Sequence, residues 1–157
     1  MAYKVYIRPL LEYCISVWLP HKKRDIKNIE KVQKYYTRRI LNFRDIPYND
    51  RLQLLAIESL EYRRIIHDLC LVYKFYHGII AVDFLDLFTI SDTYTRSANS
   101  LKLKTSFSRL NMKKYFFSNR IVPLWNKLPE NIINASNVSA FMARLKSVNL
   151  DIHMDYI

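Results

Sequence analysis

Lys22–Arg44, KKRDIKNIEKVQKYYTRRILNFR, holds the strongest helical pattern and the densest charge of the chain. It carries nine basic residues, Lys22, Lys23, Arg24, Lys27, Lys31, Lys34, Arg38, Arg39 and Arg44, opposed only by Asp25 and Glu30. The spacing predicts a helix over 22–42. At about 100° per residue, Lys23, Lys27, Lys31, Lys34 and Arg38 fall within roughly an 80° arc. Ile26, Ile29, Val32, Tyr36 and Ile40 fall on the other side. The expectation is an apolar seam on one face and a ridge of five cations on the other. Like charges at i, i+4 repel by a few tenths of a kcal/mol each, and a phosphate backbone relieves that repulsion while releasing counterions.

Helical patterning continues on both sides. Upstream, Ile7, Leu10, Leu11, Cys14, Val17 and Trp18 recur at helical spacing; Pro9 opens or kinks that helix and Pro20 closes it. Downstream, Pro47 makes a joint, and Asn49 or Asp50 caps a third helix carrying Leu52, Leu54, Leu55 and Ile57. Ser59 caps a fourth that runs to Gly78, with Ile66, Leu69, Tyr73, Tyr76 and Ile80 on its apolar face. Residues 89–100 read as a polar loop or linker, and Leu101–Lys104 alternates like a short strand. A helix from Ser118 to about Lys127, with Pro123 in its first turns, ends at Pro129. A last helix from Ser136 or Asn137 presents Val138, Phe141, Leu145 and Val148 to a core.

Composition narrows the functional classes. The chain has 157 residues, half of them hydrophobic, enough for one core. Its one glycine excludes a P-loop and a Rossmann turn, which need several. Lys plus Arg is 25 against 14 Asp plus Glu, a net charge of +11, which points to a polyanionic partner. Cys14 and Cys70 lie far apart in apolar contexts and read as buried thiols in a reducing compartment. No apolar run reaches the roughly 20 residues of a membrane span, and MAYKVYIRPLLEYC lacks a signal-peptide cleavage site, so the expected location is intracellular, cytoplasmic or nuclear.

A second basic block supports the polyanion reading. Thr93–Pro129 holds eight basic residues, Arg96, Lys102, Lys104, Arg109, Lys113, Lys114, Arg120 and Lys127, and no acidic one. Tyr94, Phe107, Tyr115, Phe116, Phe117 and Trp125 interleave it, mostly as core, although cations beside aromatic rings also suit phosphate contact with base stacking. Arg63, Arg64, His67 and Lys74 make a third small cluster on the fourth helix. Catalysis finds no counterpart. Polymerase and nuclease chemistry needs clustered carboxylates to hold divalent metals, and the nearest spacing here is Asp83 with Asp86. His21, His67, His77 and His153 are dispersed, so no metal, cofactor or catalytic residue is expected.

Two stretches carry a family resemblance. One is Arg8-Pro9-Leu10-Leu11-Glu12-Tyr13-Cys14 through Val17-Trp18 and Pro20, then Asp25, Ile29, Glu30, Val32-Gln33 and Thr37-Arg38-Arg39-Ile40. It goes on through Arg51-Leu52, Leu55, Leu60-Glu61, Arg63-Arg64, Asp68-Leu69, Tyr73-Lys74 and His77-Gly78. The other is Phe117-Ser118-Asn119-Arg120, Val122 and Trp125-Asn126-Lys127-Leu128-Pro129, then Ala135, Ser139, Phe141 and Leu145-Lys146. Together they resemble the C-terminal part of reverse transcriptases from non-LTR (LINE-type, jockey-like) retrotransposons, over roughly residues 3 to 150. The resemblance implies a thumb and post-thumb region whose helices grip a template–primer duplex by its backbone. In that family the catalytic aspartates lie in a palm upstream, so this chain is expected to be no enzyme by itself.

The combined expectation is a mainly α fold: a thumb-like helical bundle over 1–88, a linker over 89–100, a smaller α-rich unit over 101–150 with a short β-hairpin, and a tail over 151–157. The expected contacts to RNA or an RNA–DNA duplex are Lys23, Lys27, Lys31, Lys34, Arg38, Arg63, Arg64, Lys113 and Lys114. The missing palm and fingers are further expected partners, and a membrane is not. The alternative is a non-enzymatic helical protein-interaction module, which exposed Trp18, Leu55 or Phe88 would favour.

Overall fold

The computed structural model describes residues 2–18, 20–40, 43–91 and 101–148. Leu41 and Asn42 of the expected basic helix, positions 92–100 of the expected linker (with Tyr94 and Arg96), the tail 151–157 and its His153 lie outside them. The chain is mainly helical, with a two-stranded antiparallel sheet, as expected. It divides into two units, Met1–Arg64 and Ile65–Ile157. The division falls inside a helix and not at the expected 88/89 joint. One reason is that Thr89 pairs with Lys104 and Ile90 with Leu103, which ties both flanks of the 91–102 segment into one unit.

The first unit opens with a wide π-helical turn, Tyr3–Ile7, that runs into α1, Arg8–Glu12. Pro9 opens α1 from its first turn, where a missing N–H costs nothing. The expected continuous helix through Trp18 is corrected by a break. Tyr13 is extended, Cys14 takes φ 49°, and α2 restarts over Ile15–Trp18. A left-handed residue cannot continue a right-handed helix. The break leaves the expected core face outward: Leu10, Val17 and Trp18 are exposed, and Tyr3 and Ile15 are buried instead. Cys14 is exposed, not a buried thiol.

The basic helix is α3, Lys23–Arg38. α4 spans Tyr48–Leu54 behind an extended Pro47, so Asn49 and Asp50 lie within its first turn and do not cap it. Its end is a Schellman motif: Ala56 N–H bonds to Gln53 C=O and Ile57 N–H to Leu52 C=O, both at 3.0 Å. Ala56 holds the left-handed position with φ 47°. α5, Leu60–Tyr76, starts as expected at Ser59, whose Oγ accepts from Tyr62 N–H at 3.2 Å. It ends in the same motif, Gly78 N–H to Phe75 C=O and Ile79 N–H to Lys74 C=O, with Gly78 at φ 63°.

The second unit takes α5 from Ile65 onward, then α6 (Phe84–Leu87), β1 (Thr89–Ile90), β2 (Leu103–Lys104), α7 (Asn111–Lys114), α8 (Phe117–Arg120), α9 (Val122–Trp125), α10 (Glu130–Ile133) and α11 (Val138–Ser147). The expected single helix over 118–127 is two. Ile121 ends α8 and begins α9, because Pro123 has no N–H to extend the α8 ladder. Asp83 caps α6 by accepting from Leu85 N–H, and Asn137 caps α11 by accepting from Ala140 N–H. Trp125, Phe141 and Leu145 are fully buried. Tyr73 stacks on Phe141 at 4.4 Å and donates its hydroxyl proton to Ala135 C=O at 2.6 Å. The Trp125–Pro129 segment is structural, with Trp125 and Leu128 buried. Trp125 donates to Leu101 C=O, Asn126 bonds both N–H and C=O of Leu103 like a strand partner, and Pro129 begins α10.

Ala56 bears the side-chain cost of a conformation that glycine adopts freely. Ala56→Gly should therefore raise stability by about 0.5–1 kcal/mol in denaturant unfolding, and Gly78→Ala should lower it by a similar amount. Burial pushes the Cys70 thiol up to about 11. In a neutral thiol titration of the folded chain, Cys14 should react at once and Cys70 only after unfolding.

Candidate nucleic-acid interface

All five ridge cations, Lys23, Lys27, Lys31, Lys34 and Arg38, are exposed on α3. Lys31 Nζ donates to Asn28 Oδ1 at 3.1 Å, a bond within the helix surface. Lys34 Nζ lies 4.9 Å from the Tyr48 ring centre, a cation–π contact that leaves the charge at the surface. From Lys23 to Arg38 the ridge runs about 22 Å along the helix axis.

The opposite face is not the expected seam of Ile26, Ile29, Val32, Tyr36 and Ile40. Tyr36 is exposed and the four aliphatic residues are half-buried. The deeply buried side chains of α3 are polar: Glu30, Gln33 and Thr37. They sit on one stripe at i, i+3 and i+7. Glu30 accepts a short hydrogen bond from the Tyr48 hydroxyl, and both its oxygens accept from Leu60 N–H, at 3.3 and 3.1 Å. Gln33 Oε1 accepts from the Tyr3 hydroxyl at 2.8 Å, and its Nε2 donates to Glu58 C=O at 2.9 Å and to the Tyr48 hydroxyl oxygen at 3.0 Å. Thr37 donates back to Gln33 C=O. Three chain segments, around Tyr3, α4 and residues 58–60, are thus tied to α3 by a polar knot.

The knot abuts the ridge. On the helix wheel Glu30 lies about 20° from Lys23 and about 40° from Lys34. Its carboxylate is held by Tyr48 and Leu60 N–H, below the surface the ridge presents. Two further acids of this unit are engaged by arginines: Glu12 with Arg8 and Arg63, and Glu58 with Arg63.

Arg63 and Arg64 do not form the expected surface cluster. Arg63 grips both oxygens of Glu12, with Nη2 to Oε2 at 3.0 Å, and reaches Glu58 at 3.4 Å. Arg64 is 1% exposed, and its two terminal nitrogens have no hydrogen-bond partner. Burial pulls its guanidinium below the ordinary value against the supporting fields of Glu30 and Glu12. A buried guanidinium cannot meet a phosphate from where it stands. In the second unit, Lys113 and Lys114 are exposed on α7. Arg120 of the same block is spent on a buried carboxylate, with Nε and Nη2 on Asp68 Oδ2 at 3.2 and 2.9 Å. Phe117 and Trp125 are core; Phe107 and Phe116 are exposed. Among the described residues no group of three His, Cys, Asp or Glu side chains could hold a metal, and no helix is long and apolar enough to cross a membrane.

No protein-family model and no solved structure matches this chain. It is 34% identical over 85 residues to an uncharacterized protein of Caenorhabditis elegans, a match that covers 52% of this chain and 41% of that relative. The chain therefore spans less than half of the relative it matches.

Removing the Glu30 carboxylate would strand Leu60 N–H and the Tyr48 hydroxyl and take from Arg64 the counter-charge that supports it most. Glu30→Ala should cost about 2–4 kcal/mol in chemical unfolding. Burial, reinforced by Glu30, pushes the Tyr3 phenol from 10.0 up to about 12. The folded chain keeps that proton where the unfolded chain releases it. Stability from this group is whole below pH 10 and declines as pH rises toward 12. Tyr3→Phe should flatten that decline in unfolding curves taken across the same range.

Proposed function

We propose that this chain is a thumb and post-thumb fragment of a LINE-type reverse transcriptase. It holds RNA or an RNA–DNA duplex by the backbone and leaves catalysis to a palm outside it. The observation that carries this reading is the α3 ridge: five exposed cations on one arc, with the nearest buried carboxylate bonded to Tyr48 and Leu60 N–H. A ridge about 22 Å long reaches several successive phosphates of one strand, which lie about 3.4 Å apart along a duplex axis. Recognition of this kind reads charge and spacing and carries no base specificity. The order and spacing of the Arg8–Trp18, Arg63–Leu69 and Trp125–Pro129 stretches support the same origin. Lys113 and Lys114 belong to the second unit and form no part of this ridge; Arg63 and Arg64 serve the fold.

A second reading, a helical protein-interaction module, draws on exposed Leu10, Val17 and Trp18; Leu55 is half-buried and Phe88 buried, which weakens it.

The test is duplex RNA binding measured against salt. Log K should fall with log salt at a slope of about −3 to −5. The Lys27→Glu, Lys31→Glu, Lys34→Glu triple variant should keep its helical circular-dichroism spectrum, bind about a hundredfold more weakly, and show a slope shallower by about 2 to 3. A flat salt dependence, or a triple variant that binds as tightly as the natural chain, overturns the reading.

A further inference from the structure

The segment 105–116 of the second unit is built as a protruding loop, and nothing in the duplex-grip reading uses its apolar groups. Asn119 ties its two ends together. The Asn119 Oδ1 accepts from Ser106 N–H at 3.2 Å, and Nδ2 donates to Lys113 C=O at 2.8 Å. Between those anchors stand Phe107, Leu110 and Met112, exposed by 88%, 72% and 87%. Every residue of α7, Asn111 to Lys114, is exposed. Arg109, Lys113 and Lys114 are exposed among the apolar tips, and no acidic residue occurs between Thr93 and Pro129.

We propose that this loop is an interfacial anchor that sinks Phe107, Leu110 and Met112 into the headgroup–acyl boundary of an anionic bilayer while Arg109, Lys113 and Lys114 meet lipid phosphates. Two features select this occupant. Leu110 and Met112 are aliphatic and offer no ring for a nucleobase to stack on, so a nucleic acid would use the cations and leave these tips in water. Phe107, Leu110 and Met112 are exposed on the same short loop as Arg109, Lys113 and Lys114, and a headgroup layer takes apolar tips and cations at one place. The cations complement an anionic leaflet, whose surface potential attracts basic side chains over about a Debye length. The loop attaches to the membrane surface and does not span it.

Co-sedimentation of the full chain with vesicles tests this. It should bind vesicles of mixed phosphatidylcholine and phosphatidylserine and not those of phosphatidylcholine alone. The variant Phe107→Ser, Leu110→Ser, Met112→Ser keeps every charge and should lose about tenfold or more in vesicle affinity. Its three positions are exposed, so its circular-dichroism spectrum should not change. A Phe107→Trp variant should show emission quenched by brominated acyl chains beyond that of the natural chain. Absence of binding to the anionic vesicles, or equal binding by the triple-serine variant, overturns the proposal. A loss of duplex RNA affinity in the triple-serine variant, with vesicle binding kept, assigns the loop to nucleic acid and overturns it too.

Discussion

The Glu30 carboxylate, buried and held by the Tyr48 hydroxyl and Leu60 N–H, is the constraint on which the first unit depends. A carboxylate out of water is tolerated only when its lone pairs are filled. Tyr48 comes from α4 and Leu60 from the first turn of α5, so filling them fixes two helices against α3. The Leu60 amide is one of the unsatisfied N–H groups that open every helix, and a negative charge there also favours the α5 dipole. Gln33 extends the same arrangement to Tyr3 and Glu58. Because the ties are directional, they set the rotation of α3 about its axis more sharply than a sliding apolar seam would. That rotation determines which residues face water, and so places Lys23, Lys27, Lys31, Lys34 and Arg38 outward together.

The allocation of charge follows from this. The chain carries 25 cations, and the structure separates those that build it from those it displays. Arg63 clamps Glu12 and Glu58, Arg120 clamps Asp68, and Arg64 is buried beneath the fields of Glu30 and Glu12. Arg51 is buried with a guanidinium nitrogen near Lys34 C=O and its carbon 5.6 Å from the Tyr48 ring. Arginine takes these places because its planar fork meets carboxylates in pairs and loses water more readily than an ammonium. Lysine, a strongly hydrated point charge, is left on the surface, and four of the five ridge cations are lysines. A basic composition does not by itself say which cations face a partner; the acids decide, by where they are buried.

Much of this was legible in the residues. α3 and its ridge follow from spacing alone, and the Ser59 and Asn137 caps, the Pro9 helix start and the left-handed Gly78 follow from local chemistry. The misses share a cause: tertiary partners override local pattern. Glu30 and Gln33 read as ordinary polar positions because their partners, Tyr3, Tyr48 and Leu60, are 15 to 30 residues away in the chain. Cys14 and Ala56 take left-handed backbones that neither residue type advertises. Arg64 looks like a surface cation until its burial is known. A hint was nevertheless present on α3, where Glu30, Gln33 and Thr37 fall on one stripe among isoleucines, an odd place for polar groups unless they bond inward.

The grip of the α3 ridge on a phosphate backbone is read most directly by residue-resolved lysine acylation of the chain, without RNA and saturated with duplex RNA, followed by mass spectrometry. If the braced ridge holds the phosphate rail, Lys23, Lys27, Lys31 and Lys34 are protected together by RNA, while Lys146 on α11 keeps its free reactivity. Unchanged acylation across all four ridge lysines, with RNA bound, would mean that α3 does not hold the duplex.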